Sequence, residues 1–184
     1  QMMWDGWYGL RETDRLMHAG AFNWTYTLGT GLMDPWSVGA TALIPSDSTG
    51  ATDLGGLLAA EQATIFAAAP GVYRRLLRSD LPALPRLRHG LSAGEKLATP
   101  LRDQWEAITG TKVHEAFGMS ECSTFISGAP DRPAPEGTSG WPQPGRKVAM
   151  ITADGPVMRD TPGTIAVHRS DPGLMLGYYD APED

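Results

Sequence analysis

The sequence is poor in cysteine, in long apolar runs and in clusters of positive charge. Cys122 is the one cysteine, which excludes an internal disulfide framework and any zinc site built from several cysteines. No apolar run approaches the ~20 residues that a membrane-spanning helix needs. The net charge of −6 and the scattered Lys and Arg side chains argue against nucleic acid or an anionic membrane as a partner, because either would favour a basic stripe.

Two further absences concern metals and targeting. The 4 histidines share no spacing that would let them bind a metal ion together, and His114 is expected to be structural. The first residues, 1–5, lack the basic-then-apolar profile of a secretory signal. We therefore expect a cytoplasmic protein. Because the sequence starts on Gln1 and ends inside a charged segment, we also expect it to be cut from a longer chain.

What the chain does contain is typical of a folded globular protein. Its 184 residues, of which 41% are hydrophobic and 20% charged, suffice for one large domain or for a domain plus part of another. A chain of this size buries about 70% of its unfolded surface when it folds, so it needs no disulfide or metal to stabilise it.

Short apolar runs alternate with amphipathic segments through the first two thirds of the chain. The apolar runs predict buried strands, at 40–44, 63–68, 87–92 and 112–117. The segments between them predict helices, after Asp53, from Pro70 and over 97–108. The last helix should face a sheet through Leu97, Leu101, Trp105 and Ile108. Strands that alternate with helices in this way indicate an α/β fold with a mostly parallel sheet and flanking helices.

The composition changes near residue 129, where prolines and glycines become frequent. The runs 147–152 and 164–168 predict two more strands with no helix between them. We therefore divide the chain into an α/β subdomain at 1–128 and a smaller, mainly β subdomain at 129–184, which is expected to be incomplete.

The segment Phe117-Gly118-Met119-Ser120-Glu121 carries the most specific chemical signal. It follows a predicted strand, at the end where parallel sheets bind ligands. An aromatic ring can stack on a purine, a glycine lets backbone approach a phosphate, a hydroxyl can bond a phosphate oxygen, and a carboxylate can hold Mg²⁺. In the alternative interpretation, Phe117 is a core residue and Glu121 is an acid at a helix start, since short motifs recur by chance.

Other segments accompany this motif in a distinctive order. SAGEKL at 92–97 precedes it, and it is followed by GTSGWPQPG at 137–145, GTIAV at 163–167 and PGLMLGYYDAPE at 172–183. In this order the segments resemble the adenylate-forming superfamily of acyl-CoA synthetases, luciferases and peptide-synthetase adenylation domains. The resemblance extends from about Asp14 to Asp184, and the ordered set is specific although each member alone is weak.

The resemblance implies a role for each part of the motif. Phe117 would lie at the adenine, Ser120 at the α-phosphate and Glu121 on Mg²⁺, which makes Ser120 and Glu121 the candidate catalytic residues. The remaining candidate nucleotide-binding residues are Gly94, Glu95, Gly118 and Met119. The family reaction joins a carboxylic acid and ATP to give an acyl-adenylate and pyrophosphate, and a thiol, commonly that of coenzyme A, then takes the acyl group.

The segment 19–29 falls where the family has a wall of the acyl pocket. Candidate substrate-pocket residues are Asn23, Trp24 and Tyr26, together with Ala93 in the loop at 92–97. Large rings such as Trp24 and Tyr26 would shorten a cavity and favour a compact or aromatic acid. The alternative is that both rings are core residues beside a helix, because aromatic side chains are usually buried for packing.

Parts of the family pattern have no counterpart in these residues. The phosphate loop with its Lys is expected before the chain, and the ribose-binding Asp and the C-terminal domain with its lysine are expected after it. The chain resembles roughly a third of such an enzyme, an internal piece of the large N-terminal domain. We therefore expect these 184 residues alone to be inactive.

The leading interpretation is a fragment of an AMP-forming acyl-CoA synthetase for aryl or short-chain acids, similar to benzoate-CoA ligases, with ATP, Mg²⁺ and CoA as expected ligands. One rival is an amino-acid adenylation domain, which would need an acidic pocket residue; segment 19–29 has none, but Asp34 keeps this possibility open. The other rival is a truncated homologue that binds a nucleotide or a partner without turnover.

Overall fold

The computed structural model describes residues 2–46, 49–50, 53–157 and 160–180, and most of its strands form one sheet. This sheet has 7 strands in the order β2-β1-β3-β4-β5-β6-β7. Their bounds are β1 Arg15–His18, β2 Thr41–Leu43, β3 Ile65–Ala68, β4 His89–Ser92, β5 Val113–Met119, β6 Ser123–Ser127 and β7 Trp141–Pro142. The pairs from β2 to β5 are parallel, whereas β6 and β7 add on in antiparallel fashion. The predicted α/β fold with a mostly parallel sheet is confirmed.

Helices connect the parallel strands, and their bounds are α1 Thr25–Leu28, α2 Asp34–Ser37, α3 Leu54–Ala60, α4 Pro70–Leu76 and α5 Thr99–Thr109. Two π-helical turns, Trp4–Tyr8 and Gly29–Met33, complete the helical elements of the described residues. Pro70 occupies the first position of α4, where the missing N–H costs no hydrogen bond.

The two faces of the sheet are covered by different elements. Successive strand residues point to opposite faces, so that Phe66 packs on one side and Ile65 on the other. The first face meets α3, α4 and α5, and there Trp105 lies edge-on to Tyr73 with ring centroids 4.8 Å apart. The second face meets the π-helical turn Trp4–Tyr8 through Trp7 and Tyr8. The candidate site described below lies on this second face.

A small antiparallel sheet follows the large one. It consists of β8 Val148–Thr152, β9 Gly155–Pro156 and β10 Thr164–Val167, in the order β10-β8-β9. The strands predicted at 147–152 and 164–168 are therefore confirmed. The division of the chain at residue 128 stays a prediction; β7 at Trp141–Pro142 still pairs with the large sheet.

Some sequence expectations are wrong in detail. Ile108 is 50% exposed, because apolar spacing identifies one side of α5 but not how far the sheet extends along the helix. Leu97 is buried but precedes α5, which begins at Thr99. The strand predicted at 40–44 is an edge strand with only β1 beside it, and Ile44 is largely exposed instead of buried. No helix among the described residues is long and apolar enough to cross a membrane.

Candidate active site

A cavity of about 440 Å³ opens where β4 and β5 end. The residues directly after β4, Ala93 and Gly94, form one part of its lining. Gly118 and Met119 at the end of β5, and Ser120 after it, form a second part. A crevice beyond the carboxyl ends of parallel strands is where α/β sheets bind ligands. The cavity is therefore the candidate site of this chain.

Four aromatic side chains form one wall of the cavity, those of Trp7, Tyr8, Trp24 and Tyr26. Trp7 stacks on Tyr26 with centroids 5.6 Å apart, and Trp24 meets Tyr26 edge-on at 5.0 Å. The Trp7 indole N–H donates to the His114 carbonyl oxygen at 2.9 Å, which fixes this ring against β5. Burial raises the pKa of Tyr26 far above its ordinary value, so this phenol stays neutral. The wall is apolar, fixed and suited to a flat ring.

Gly94 connects this aromatic wall to the loop after β4. Its φ of +97° lies in the left-handed region that favours glycine. A Cβ at this position would lie 2.8 Å from the ring of Trp24, closer than packed side chains approach. Glycine at 94 therefore lets Trp24, which is 38% exposed, lie directly against the SAGEKL loop.

Gly118 is required by the backbone around it. The register of the β5–β6 hairpin shifts between Phe117 and Gly118, and a Cβ on Gly118 would collide with the backbone of Ser123 and Thr124. From the sequence, this glycine was expected to let the backbone approach a phosphate. In the structure, the backbone that approaches Gly118 closely belongs to the opposite strand of the hairpin, β6.

Phe117 lies on the outer side of the same hairpin. Its ring is 39% exposed and meets Phe125 edge-on with centroids 5.4 Å apart. Phe117 belongs to neither core cluster, so the alternative that it is a core residue is wrong. Because its ring is partly exposed, it is available to stack on a ligand.

Glu121 is held by the segment that follows β10. The Tyr178 hydroxyl donates to a Glu121 carboxylate oxygen, and the Met175 N–H donates to the Glu121 carbonyl at 2.7 Å. The hydrogen bond from Tyr178 lowers the pKa of Glu121. The alternative that Glu121 starts a helix is wrong, because this residue lies in the turn between β5 and β6.

A buried ion pair connects the turn that contains Glu121 to the segment after β10. The Arg146 guanidinium lies 3.3 Å from the Asp171 carboxylate, and it donates to the Cys122 carbonyl at 2.5 Å. The Asp171 carboxylate also accepts from the N–H groups of Lys147 and Gly173, at 2.6 and 2.8 Å. The chain segment after β10 is thereby connected to the residue next to Glu121.

The cavity brings together seven of the predicted site residues, namely Trp24, Tyr26, Ala93, Gly94, Gly118, Met119 and Ser120. The remaining four, Asn23, Glu95, Phe117 and Glu121, are not part of its lining. Asn23 and Glu95 are exposed, each beside a residue that does line the cavity. Trp7, Tyr8 and Thr30 line the cavity although the sequence analysis did not select them. The sequence signal for Trp7 and Tyr8 was the presence of three aromatic residues within 4–8. Because this segment is far from the other motifs along the chain, the sequence did not connect it to the site.

The carboxylate of Glu121 suits a metal ion whose other ligands come mainly from a bound nucleotide and water. Mg²⁺ takes oxygen ligands and often uses one or two carboxylates together with phosphate oxygens and water. Among the described residues, no group of three or more His, Cys, Asp and Glu side chains could hold a metal. Glu121 supplies one carboxylate beside the hydroxyl of Ser120. This donor set fits a Mg²⁺ ion that arrives with a nucleotide.

The fold and the cavity together define an α/β protein with a ligand site at the carboxyl edge of its parallel sheet. The sequence model of the family described as AMP-binding enzyme matches residues 1–179, so the chain belongs to that family.

Similar proteins include CoA ligases for aromatic acids. The chain is 30% identical over 183 residues to 3-hydroxybenzoate--CoA ligase of Aromatoleum sp. (strain CIB), covering 96% of the chain and 34% of the relative. It resembles the crystal structure of a benzoate CoA ligase from Burkholderia xenovorans LB400, with a TM-score of 0.83, 29% identity, and coverage of 95% and 36%. For ATP-bound MatB from Rhodopseudomonas palustris, the TM-score is 0.85 at 26% identity, with coverage of 99% and 36%. The chain thus spans about a third of the length of the proteins it matches.

Proposed function

We propose that the chain is part of an AMP-forming acid–thiol ligase that activates an aryl or short-chain carboxylic acid and transfers it to coenzyme A. The observation that carries this proposal is that one cavity is lined by the aromatic segment 24–26, by the loop after β4 and by the Gly118–Ser120 part of the motif. These are the segments that the resemblance assigned to the acyl wall and to the nucleotide. Membership of the AMP-binding enzyme family supports the same assignment.

In this proposal the residues of the chain bind and orient the two substrates. The aromatic wall holds the acyl group, while Phe117 stacks on the adenine and Ser120 donates a hydrogen bond to the α-phosphate. Glu121 orients the cation that accompanies the nucleotide. Bound ATP and Mg²⁺ supply the adenylyl group and neutralise the phosphate charge that would repel a carboxylate.

The lining of the cavity bears on which class of acid the protein would activate. The rings on one wall favour a flat, compact acid over a long acyl chain. Amino-acid activation is the weaker alternative, because Asp34 is not part of the lining and its carboxylate already accepts from Tyr8. An amino-acid ammonium group would have to displace that hydrogen bond.

A pyrophosphate-release screen of carboxylic acids on the full-length protein tests the activity. We expect turnover with benzoate or a short-chain acid, followed by thioester formation when CoA is added. Glu121→Gln should lower the Mg²⁺-dependent first step by orders of magnitude, because a neutral amide holds a cation poorly. Adenylation at the original rate in this variant would remove Glu121 from its role, and no turnover with any acid would favour a non-catalytic binding module.

We further propose that residues 1–184 alone do not adenylate, since the lysine-bearing phosphate loop and the C-terminal domain of the family pattern have no counterpart in them. ATP–pyrophosphate exchange on the isolated chain measures this. Exchange comparable to that of the full-length protein would contradict the proposal.

A further inference from the structure

One part of the aromatic wall is polar, because Tyr8 contributes a hydroxyl group there. The Tyr8 hydroxyl lies 2.9 Å from a carboxylate oxygen of Asp34 and 2.9 Å from the hydroxyl of Thr30. Tyr8 and Thr30 line the cavity and are themselves almost fully buried, with 1% and 2% of their surface exposed. Asp34 lies behind them, and its other carboxylate oxygen is 3.4 Å from the indole nitrogen of Trp4.

The hydrogen bonds of these three side chains have only one consistent direction. The Tyr8 hydroxyl donates its hydrogen bond to the Asp34 carboxylate, which accepts it. Burial, followed by the charge of Asp34, raises the pKa of Tyr8 well above its ordinary value, so the phenol keeps this proton. Since Tyr8 has no second proton, Thr30 must donate its own to the Tyr8 oxygen. Thr30 is left with free lone pairs and no free proton.

The Thr30 oxygen is therefore a hydrogen-bond acceptor at a mostly apolar cavity. A ligand group that carries a proton can bond to it, whereas an ether, carbonyl or halogen would oppose lone pair to lone pair. Burying an unpaired polar group costs about 1–3 kcal/mol, which is sufficient to separate two ligands that differ in one substituent. The direction is set by Asp34, which is separated from the ligand by three hydrogen bonds, one to Tyr8, one between Tyr8 and Thr30, and one from the ligand to Thr30.

We propose that Thr30, oriented by Tyr8 and Asp34, selects aromatic carboxylic acids that carry a hydroxyl or amino substituent on the ring. The ring of Tyr26, which stacks on the buried ring of Trp7, contacts the aromatic plane of the acid, and the Thr30 oxygen accepts a hydrogen bond from the substituent. The proposal rests on the proposed function, because it assumes that the acid substrate occupies this cavity.

The test compares substituted benzoates in ATP–pyrophosphate exchange on the full-length protein. The series contains benzoate and its 3- and 4-hydroxy, amino and methoxy derivatives. At one ring position we expect the hydroxy or amino acid to exceed the methoxy acid in kcat/KM by about tenfold or more. Thr30→Val keeps the shape and removes the acceptor, so the hydroxy-to-methoxy ratio should fall by about tenfold. Asp34→Asn should lower the same ratio, because an amide no longer imposes one direction on the Tyr8 proton.

Thr25→Val is the matched control, because Thr25 also lines the cavity but stands outside the Thr30–Tyr8–Asp34 series. It should leave the hydroxy-to-methoxy ratio as in the unsubstituted protein. Equal ratios across the benzoate series, or an equal loss in Thr30→Val and Thr25→Val, would overturn this inference while leaving acid activation intact. No exchange with any carboxylic acid would instead overturn the proposed function and this inference with it.

Discussion

Tyr178 donates a hydrogen bond to the carboxylate of Glu121, across 57 positions of the sequence. The two residues belong to motifs that the sequence analysis treated as separate members of an ordered set. Their contact joins the last of these motifs to the Phe-Gly-Met-Ser-Glu turn. It gives the order of these segments a physical meaning, because the later segment orients a side chain of the earlier one.

Removing this hydrogen bond should weaken the cation binding that we propose for Glu121. In the full-length protein, Tyr178→Phe frees the Glu121 carboxylate to rotate, so we expect the Mg²⁺ concentration for half-maximal adenylation to rise by roughly threefold to tenfold, the worth of one solvent-exposed hydrogen bond. Tyr179→Phe is the control, because Tyr179 is fully exposed and neighbours Tyr178 in the chain. An unchanged Mg²⁺ dependence in Tyr178→Phe would contradict the role given to this contact.

Gly173 and Arg146 form the tightest approach in the same region. A Cβ at position 173 would overlap the Arg146 guanidinium, which is confined by its contacts with Asp171 and Cys122. Gly173→Ala should therefore destabilise the protein by about 1–3 kcal/mol, as overpacking does. In Gly56→Ala, the added Cβ meets nothing within 4 Å inside α3, and we expect a small gain in stability from helix propensity. Denaturant unfolding of both variants measures the difference, and equal effects would refute the expectation.

The contact of Gly94 with Trp24 predicts a compensating pair of substitutions. Gly94→Ala should push Trp24 into the cavity and strain the backbone at φ +97°, so the KM for an aromatic acid should rise by roughly tenfold. Trp24→Phe shortens the ring, and in the double variant it should recover part of the loss. Steady-state kinetics of the unsubstituted protein, the two single variants and the double variant give the coupling energy between positions 94 and 24. Purely additive effects would show that the ring and the glycine act independently.

Buried histidines should make the protein sensitive to acid. Burial lowers the pKa to about 3 in His18 and His114 and to about 4 in His89, from an ordinary value of 6.5. As pH falls below about 6.5, the unfolded chain binds protons that the folded chain refuses, so stability is lost progressively down to pH 3–4. The loss should be on the order of 2–3 kcal/mol per histidine at pH 4.5.

Unfolding temperatures of the full-length protein between pH 7 and pH 4.5 measure this effect. His114→Asn removes one buried titrating group and should flatten the pH dependence, whatever it does to stability at pH 7. His168→Asn is the control, because His168 is exposed and should leave the slope unchanged. A slope that is the same in both variants would contradict the assignment to buried histidines.

The sequence by itself predicted the strands β3, β4 and β5 and the helix α4, because continuous apolar runs and Pro70 determine local structure directly. It missed β1, whose four residues begin on Arg15 and end on His18, and the β6 hairpin strand that follows the motif. Polar residues within a short strand leave no apolar run to detect. The motifs that resemble the adenylate-forming family were also recognisable, since their order along the chain is a property of the sequence, and the match of residues 1–179 to the AMP-binding enzyme family agrees with them.

Only the tertiary structure decided which side chains face the cavity. Trp7 and Tyr8 come from a π-helical turn at one end of the chain and Gly118 from a hairpin far along it, so their meeting depends on the sheet order. The direction of the Thr30–Tyr8–Asp34 hydrogen bonds likewise follows from distances that no spacing encodes. Local pattern indicates which side of an element faces the core, whereas a binding site depends on which segments approach each other in space.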